Sequence, residues 1–209
     1  MGYTTFPVTS FEQNCSLVWC DATMEAAVID PGGDEQQIIE AISRHHLKPV
    51  KVILTHGHLD HVGGTAMIAE HFGIPVIGPH RDDAFLLQGL EQQAQMFAFP
   101  KTRDFTPDQW LQQGDEITVG ERTLGVLHCP GHTPGHIVLF DKEHKLLFAG
   151  DVLFRGSIGR TDFPRGNHQQ LIDSIQQRLW PLPDDVTVIP GHGPETTIGI
   201  ERATNPFVP

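Results

Sequence analysis

The sequence predicts an α/β domain in which two β-sheets pack face to face and helices cover the outside of each. Three observations carry this expectation. Apolar runs of strand length alternate with longer stretches whose apolar residues recur at helical spacing. That alternation occurs twice, giving two β-rich halves with interspersed helices. The conspicuous polar clusters fall where strands end, beside glycines, which is how loops at one sheet edge build a site. A chain of 209 residues suits a single domain over residues 1–209.

Each element follows from local signals. The N-terminal "MGYTTFPVTSFEQN" reads as a strand and a turn, while "CSLVWC" (15–20) and "AAVIDPGG" (26–33) read as strands, the second closed by Pro-Gly-Gly. "DEQQIIEAISRHH" (34–46) predicts a helix with Asp34 at its N-cap and Ile38, Ile39 and Ile42 on one face. "VKVILT" (50–55) is a buried strand, "GGTAMIAEHFG" (63–73) a helix stopped by Gly73, and "IPVIG" (74–78) another strand. Residues 80–113 place Phe85, Met96, Phe97, Phe99, Phe105 and Trp110 among glutamines, and are expected to form helices or a lid lining a substrate entrance. The strands "DEITVG", "RTLGVLHCPG", "HIVLF" and "KLLFAGD" follow, then a helix (167–180), the strand "VTVIPGH" (186–192) and one short terminal helix.

Composition narrows the function. Hydrophobic residues at 39% and charged residues at 19% are globular values. Acidic residues outnumber basic ones 26 to 14, a formal charge of -12, which excludes a nucleic-acid backbone as partner because phosphate binding needs a basic footprint. The three cysteines, Cys15, Cys20 and Cys129, make no disulfide framework and fit a reducing compartment. The first residues lack the pattern of a signal peptide, and no apolar run reaches the length of a membrane span. A cytoplasmic protein, free of membrane and nucleic acid, is expected, as monomer or dimer.

The chemistry lies in the loops. "THGHLDHVGG" (55–64) crowds His56, His58, Asp60 and His61 into six positions, and other strands end at His132, Asp151 and His192. Imidazole and carboxylate without thiolate suits Zn²⁺, with Fe²⁺ or Mn²⁺ as alternatives. Seven donors exceed one tetrahedral ion and match two ions sharing a carboxylate. The expected arrangement places His56, His58 and His132 on the first ion, Asp60, His61 and His192 on the second, and Asp151 between them. Paired ions of this kind lie roughly 3.5–4 Å apart, and a hydroxide bridging them is a nucleophile at neutral pH. Asp60 and Asp151 are the candidate catalytic carboxylates, Asp60 holding the hydroxide in line. Asp30 is the candidate outer acceptor that orients a ligand histidine. His136 is expected behind the donors, the remaining histidines on helices or loops without patterned partners, and Cys129 as a small buried residue.

"THGHLDH", "GHTPGH", "AGD" and "PGH", in this order, resemble the metallo-β-lactamase superfamily, and the resemblance covers nearly the whole chain. It implies an αββα metallo-β-lactamase-like sandwich of two mixed sheets flanked by helices, with a metal site at one edge. "VIDPGGD" (28–34) before the metal loop is similar to the glyoxalase II branch, in its short, single-domain bacterial type. The resemblance implies hydrolysis of S-2-hydroxyacylglutathione thioesters, S-D-lactoylglutathione giving D-lactate and glutathione. "GRTDF" within 154–166 resembles the persulfide dioxygenases of the same superfamily, which makes Arg160 the candidate for a glutathione carboxylate, with Asp162 orienting its loop and Arg155 and Arg165 as weaker candidates. The rival readings are a persulfide dioxygenase with one iron, a lactonase or other esterase on the same fold, and a binding module that uses metal only for folding.

Overall fold

The computed structural model describes residues 2–100 and 102–208. The first sheet holds β1 (Gly2–Val8), β2 (Gln13–Trp19), β3 (Glu25–Ile29), β4 (Lys48–Ile53) and β5 (Val76–Ile77) in sequence order. β1, β2 and β3 pair antiparallel; β3, β4 and β5 pair parallel through helical crossovers. The second sheet joins β6 (Glu116–Val119), β7 (Arg122–His128), β8 (Ile137–Asp141), β9 (Leu146–Gly150), β12 (Thr187–Pro190) and β13 (Thr196–Thr197) in the order β13-β12-β9-β8-β7-β6. Only β12 and β9 run parallel there. Between β9 and β12 a small hairpin intervenes, β10 (Leu153–Phe154) with β11 (Ser157–Ile158).

Both sheets are mixed, and side-chain alternation shows why their strands read as continuous apolar runs. In β2, Leu17 faces a cluster with Ile38 and Ile42 of α1 (Glu35–Arg44) and Ile68 of α3 (Thr65–Phe72). Its neighbour Val18 faces the other way, into the cluster between the sheets with Val126, Leu139 and Phe148. β9 repeats the pattern. Leu146 and Phe148 point between the sheets, while Leu147 and Ala149 meet Leu171 of α6 (His168–Ser174). The layers are therefore helix, sheet, sheet, helix, as the alternating runs predict.

Local differences have local causes. Asp34 stands at the N-cap of α1 as predicted, but its side chain does not cap the helix. It sits at φ 51, makes no side-chain cap hydrogen bond, and its Oδ2 accepts from Thr9 N at 2.5 Å instead. The predicted helix 167–180 starts with Asn167, whose Oδ1 accepts from Gln170 N, but widens into a π-helical turn over Ile175–Leu179. That turn keeps Leu171, Ile175 and Leu179 all fully buried against the second sheet. Within 80–113 the expected helices appear only as a 3₁₀ turn (Arg81–Asp83), α4 (Ala84–Leu87) and α5 (Leu90–Met96). The terminal helix is α7 (Ile198–Thr204). Among the described residues no helix is long and apolar enough to cross a membrane.

Candidate active site

Four strands deliver the predicted donors to one edge. β4 runs into the loop bearing His56 and His58, and the four-residue helix α2 (Leu59–Val62) presents Asp60 and His61. The loop after β7 carries His132; β9 ends immediately before Asp151, and β12 shortly before His192. The two arms are stitched together here: Asn14 N donates to Gly191 O at 2.7 Å, and the Asn14 amide reaches the carbonyls of Pro190 and Gly193. Gly191 is required by close packing, since a Cβ there would lie 2.2 Å from Asp151 Oδ1.

The donors form two groups. His58 Nδ1 lies 3.1 Å from His56 Nε2 and 2.9 Å from His132 Nε2. Hydrogen-bond accounting fixes the tautomers. His132 Nδ1 faces only a carbonyl, that of Arg160 at 2.7 Å, so it carries the proton and Nε2 bears a lone pair. Thr55 Oγ1 donates to Asp30 Oδ2 at 2.6 Å, so His56 Nδ1, 3.0 Å away, donates to Thr55 and His56 Nε2 is also a lone pair. Two lone pairs thus converge on a third ring nitrogen. Burial, with His132 beside it, pushes His58 down to about 3, so its ring is neutral and brings no charge of its own to that space.

In the second group His192 Nε2 is 3.2 Å from Asp60 Oδ2, and His61 Nε2 is 3.9 Å from that oxygen. His61 Nδ1 donates to Asp30 Oδ2 at 2.9 Å, which leaves His61 Nε2 facing Asp151 Oδ1 across 3.3 Å. Both of those atoms are buried without a hydrogen-bond partner. Asp151 spans the groups, its Oδ2 lying 3.5 Å from His132 Nε2 and 3.9 Å from His192 Nε2. Burial opposes its charge, yet His61 beside it holds the carboxyl well below the usual range; burial likewise opposes a charged His61, and Asp151 and Asp60 together raise it. An unpartnered imidazole nitrogen facing a buried carboxylate, beside the converging lone pairs of the first group, suits a cation. His56, His58 and His132, and Asp60, His61 and His192, each bring ligand atoms within 4.8 Å of one another, so the clusters fit one or two metal ions.

Asp30 lies where the sequence places it, behind His61 and accepting from Thr55 as well. His136 is fully buried behind the donors, stacked on His56 with centroids 4.5 Å apart, and accepts from Asp151 N at 3.0 Å. Cys129 is buried and its thiol is pushed up to about 12 by burial, as befits a packing residue. His80 and His128, read as unpartnered, instead stack at 4.2 Å outside the site, with Asp82 beside His80. The Arg160 guanidinium is exposed and makes a two-pronged contact with Asp162, 2.8 and 2.7 Å, while lying 4.4 Å over the Phe163 ring. Arg155 bonds the Glu195 carbonyl, and Arg165 lies over Phe85.

Asp83 is the residue the sequence reading misses. Fully buried, it accepts from Gly57 N at 2.9 Å, Thr133 Oγ1 at 2.7 Å and Gly135 N at 2.6 Å, so one carboxylate ties the His56–His58 loop to the His132 loop. Burial raises it to about 6 against the pull of those three hydrogen bonds. Gly135 must lack a side chain, because a Cβ would meet Asp83 N at 2.6 Å. Above the donors opens a cavity of about 780 Å³, walled on one side by residues of α4 and α5 and on the other by Phe154, Arg160 and Phe163.

Fold and site together define a class: an αββα sandwich with a histidine–aspartate metal centre at the open edge of its sheets, under a cavity of substrate size. The chain belongs to the metallo-β-lactamase superfamily, whose family model matches residues 8–192. It is 48% identical over 209 residues to the hydroxyacylglutathione hydrolase GloC of Haemophilus influenzae, covering 100% of this chain and 98% of that one. Among solved structures it is similar to the BLEG-1 B3 metallo-β-lactamase, with a TM-score of 0.91, 36% identity, and 99% of each chain covered. It is also similar to TTHA1623 in a di-iron-bound form, with a TM-score of 0.89 and 36% identity over 98% of this chain and 100% of that one.

Proposed function

We propose that the chain is a metal-dependent hydrolase of S-2-hydroxyacylglutathione thioesters, converting S-D-lactoylglutathione to D-lactate and glutathione. The observation that carries this reading is Asp151 set between two nitrogen-rich groups at the floor of an open cavity. His56, His58 and His132 would hold one ion, and Asp60, His61 and His192 the other, with Asp151 shared. A pair of divalent ions there supplies Lewis acidity to an acyl oxygen and lowers the pKa of water. Zinc is the metal proposed; iron is the alternative, and the di-iron relative supports it.

The protein's own groups set the geometry. Asp30 holds the His61 ring and Thr55 holds that of His56, fixing which nitrogen faces inward. Asp60 lines the cavity and accepts a hydrogen from the attacking water, aligning it with the acyl carbon. The thiolate is a good enough leaving group to need no dedicated acid. Arg160 at the rim pairs with a glutathione carboxylate, exchanging it for Asp162. The second donor group, with His192 at 3.2 Å from Asp60, favours this hydrolysis over a persulfide dioxygenase on a single iron. The chain is proposed to work as one domain, and its three buried free cysteines suit the cytoplasm.

The test is loss of thioester absorbance with S-D-lactoylglutathione, using metal-replete and chelator-stripped protein. Turnover in the first, its loss in the second, and recovery on adding zinc are expected. Absence of turnover of that or any related thioester by protein holding two metals would overturn the assignment.

A further inference from the structure

The cavity lining offers the proposed carrier few charged partners. Glutathione bears two carboxylates and an ammonium. Among the described residues lining the cavity, Arg160 is the one Arg or Lys, and both prongs of its guanidinium already meet Asp162. The walls are largely apolar, with Phe85, Leu86, Met96 and Phe97 beside Gln92 and Gln93 on one side and Phe154 and Phe163 on the other.

Two further observations locate that apolar surface, one beside the donors and one at the rim. Phe163 packs 4.6 Å from the His58 ring and 5.6 Å from His132, and Phe154 lies 6.4 Å from His192. The apolar lining therefore begins at the donors themselves, where the acyl carbon must sit, and not only at the outer rim. At the rim, Phe11, Met96 and Phe97 are 43%, 70% and 55% exposed. Large side chains left open around a cavity mark a surface that a ligand covers.

We propose, building on the thioesterase reading, that the preferred substrates are 2-hydroxyacyl thioesters with a bulky apolar acyl group, aromatic or branched, packed against Leu86, Met96 and Phe97. The acyl group, more than the thiol carrier, sets specificity. The reaction is unchanged: water gives its hydroxyl to the acyl carbon, the C–S bond breaks, and the thiol leaves as the carboxylic acid ionises. The remote apolar contact supplies binding energy that orients the carbonyl over the donors.

The experiment compares kcat/KM for 2-hydroxy-2-phenylacetyl and lactoyl thioesters of glutathione, and for the same two acyl groups on N-acetylcysteamine. The phenyl-bearing substrate is expected to exceed lactoyl by about tenfold or more, the scale of one well-filled apolar pocket, on both carriers. Changing the carrier should matter less than changing the acyl group. In Phe97→Ser and Met96→Ser, whose side chains are too exposed to hold the fold together, the phenyl-to-lactoyl ratio should fall toward one, with melting temperature as the check on folding. Lactoyl cleaved as fast as or faster than the phenyl substrate, or a ratio untouched by both variants, overturns this proposal while leaving the thioesterase reading intact. Cleavage of no thioester overturns both.

Discussion

The donor floor and the aromatic wall of the same cavity differ in how their residues are held. On the floor nearly every polar atom has a second partner behind it: His61 rests on Asp30, His56 on Thr55, His132 on the Arg160 carbonyl, and both loops on Asp83. These residues hang from strand ends of two packed sheets. The wall comes from α4 and α5, four and seven residues long, and the end of α5 leaves Met96 and its C-cap Phe97 largely in solvent. Precision is concentrated where charge must be placed, and adaptable surface where shape must be matched. Changes to the floor should therefore act through metal and kcat, and changes to the wall through substrate choice and KM.

The largest effect is expected from His58→Ala, which removes the nitrogen at the meeting point of the first group. One metal equivalent should disappear on elemental analysis and kcat/KM should fall by well over the ~100-fold that outer residues of metal sites command. Two metals retained with near-normal turnover would break the assignment of the floor. Asp83→Asn comes next. An amide offers one acceptor oxygen where the N–H groups of Gly57 and Gly135 each use a separate carboxylate oxygen. Metal affinity, measured by competition with a chromophoric chelator, should weaken about 10–100-fold, with kcat following. Unchanged affinity would show the two loops to be rigid without their shared carboxylate. The smallest effect belongs to Arg160→Ala. Its pair with Asp162 is exposed and screened by solvent, so it yields readily to a substrate carboxylate, and a KM several-fold higher at constant kcat is expected with glutathione substrates. A fall in kcat instead would mean that the loop carrying the Arg160 carbonyl, and so His132, had moved.

The same contrast decides what the sequence discloses. The candidate donors and Asp30 are legible because His56, His58, His132, Asp151, His192 and Asp30 stand at strand ends marked by glycine or proline, and Asp60 and His61 follow at once in the same short loop motif, a local signal. The two-sided burial of β2 and β9 is legible as continuous apolar runs. Asp83 is not, because its partners lie 26 and 52 positions away and nothing around "GPHRDD" distinguishes it from a turn residue. Asp34 is legible in place but not in partner: it stands at the N-cap of α1 as local rules predict, while its side chain is drawn off by Thr9, 25 positions earlier. Helices as short as α4 and α5 carry too few turns for periodicity to register. Arg160 is proposed from its motif, and its standing pair with Asp162 depends on a loop conformation that no pattern encodes.

The stitching of Asn14 to Gly191 and its neighbours joins one of the first strands made to one of the last. On the ribosome the first sheet and its histidine loop emerge early, yet the second donor group cannot close until position 192 is free. Completion of the second donor group is therefore a late event in the making of the chain.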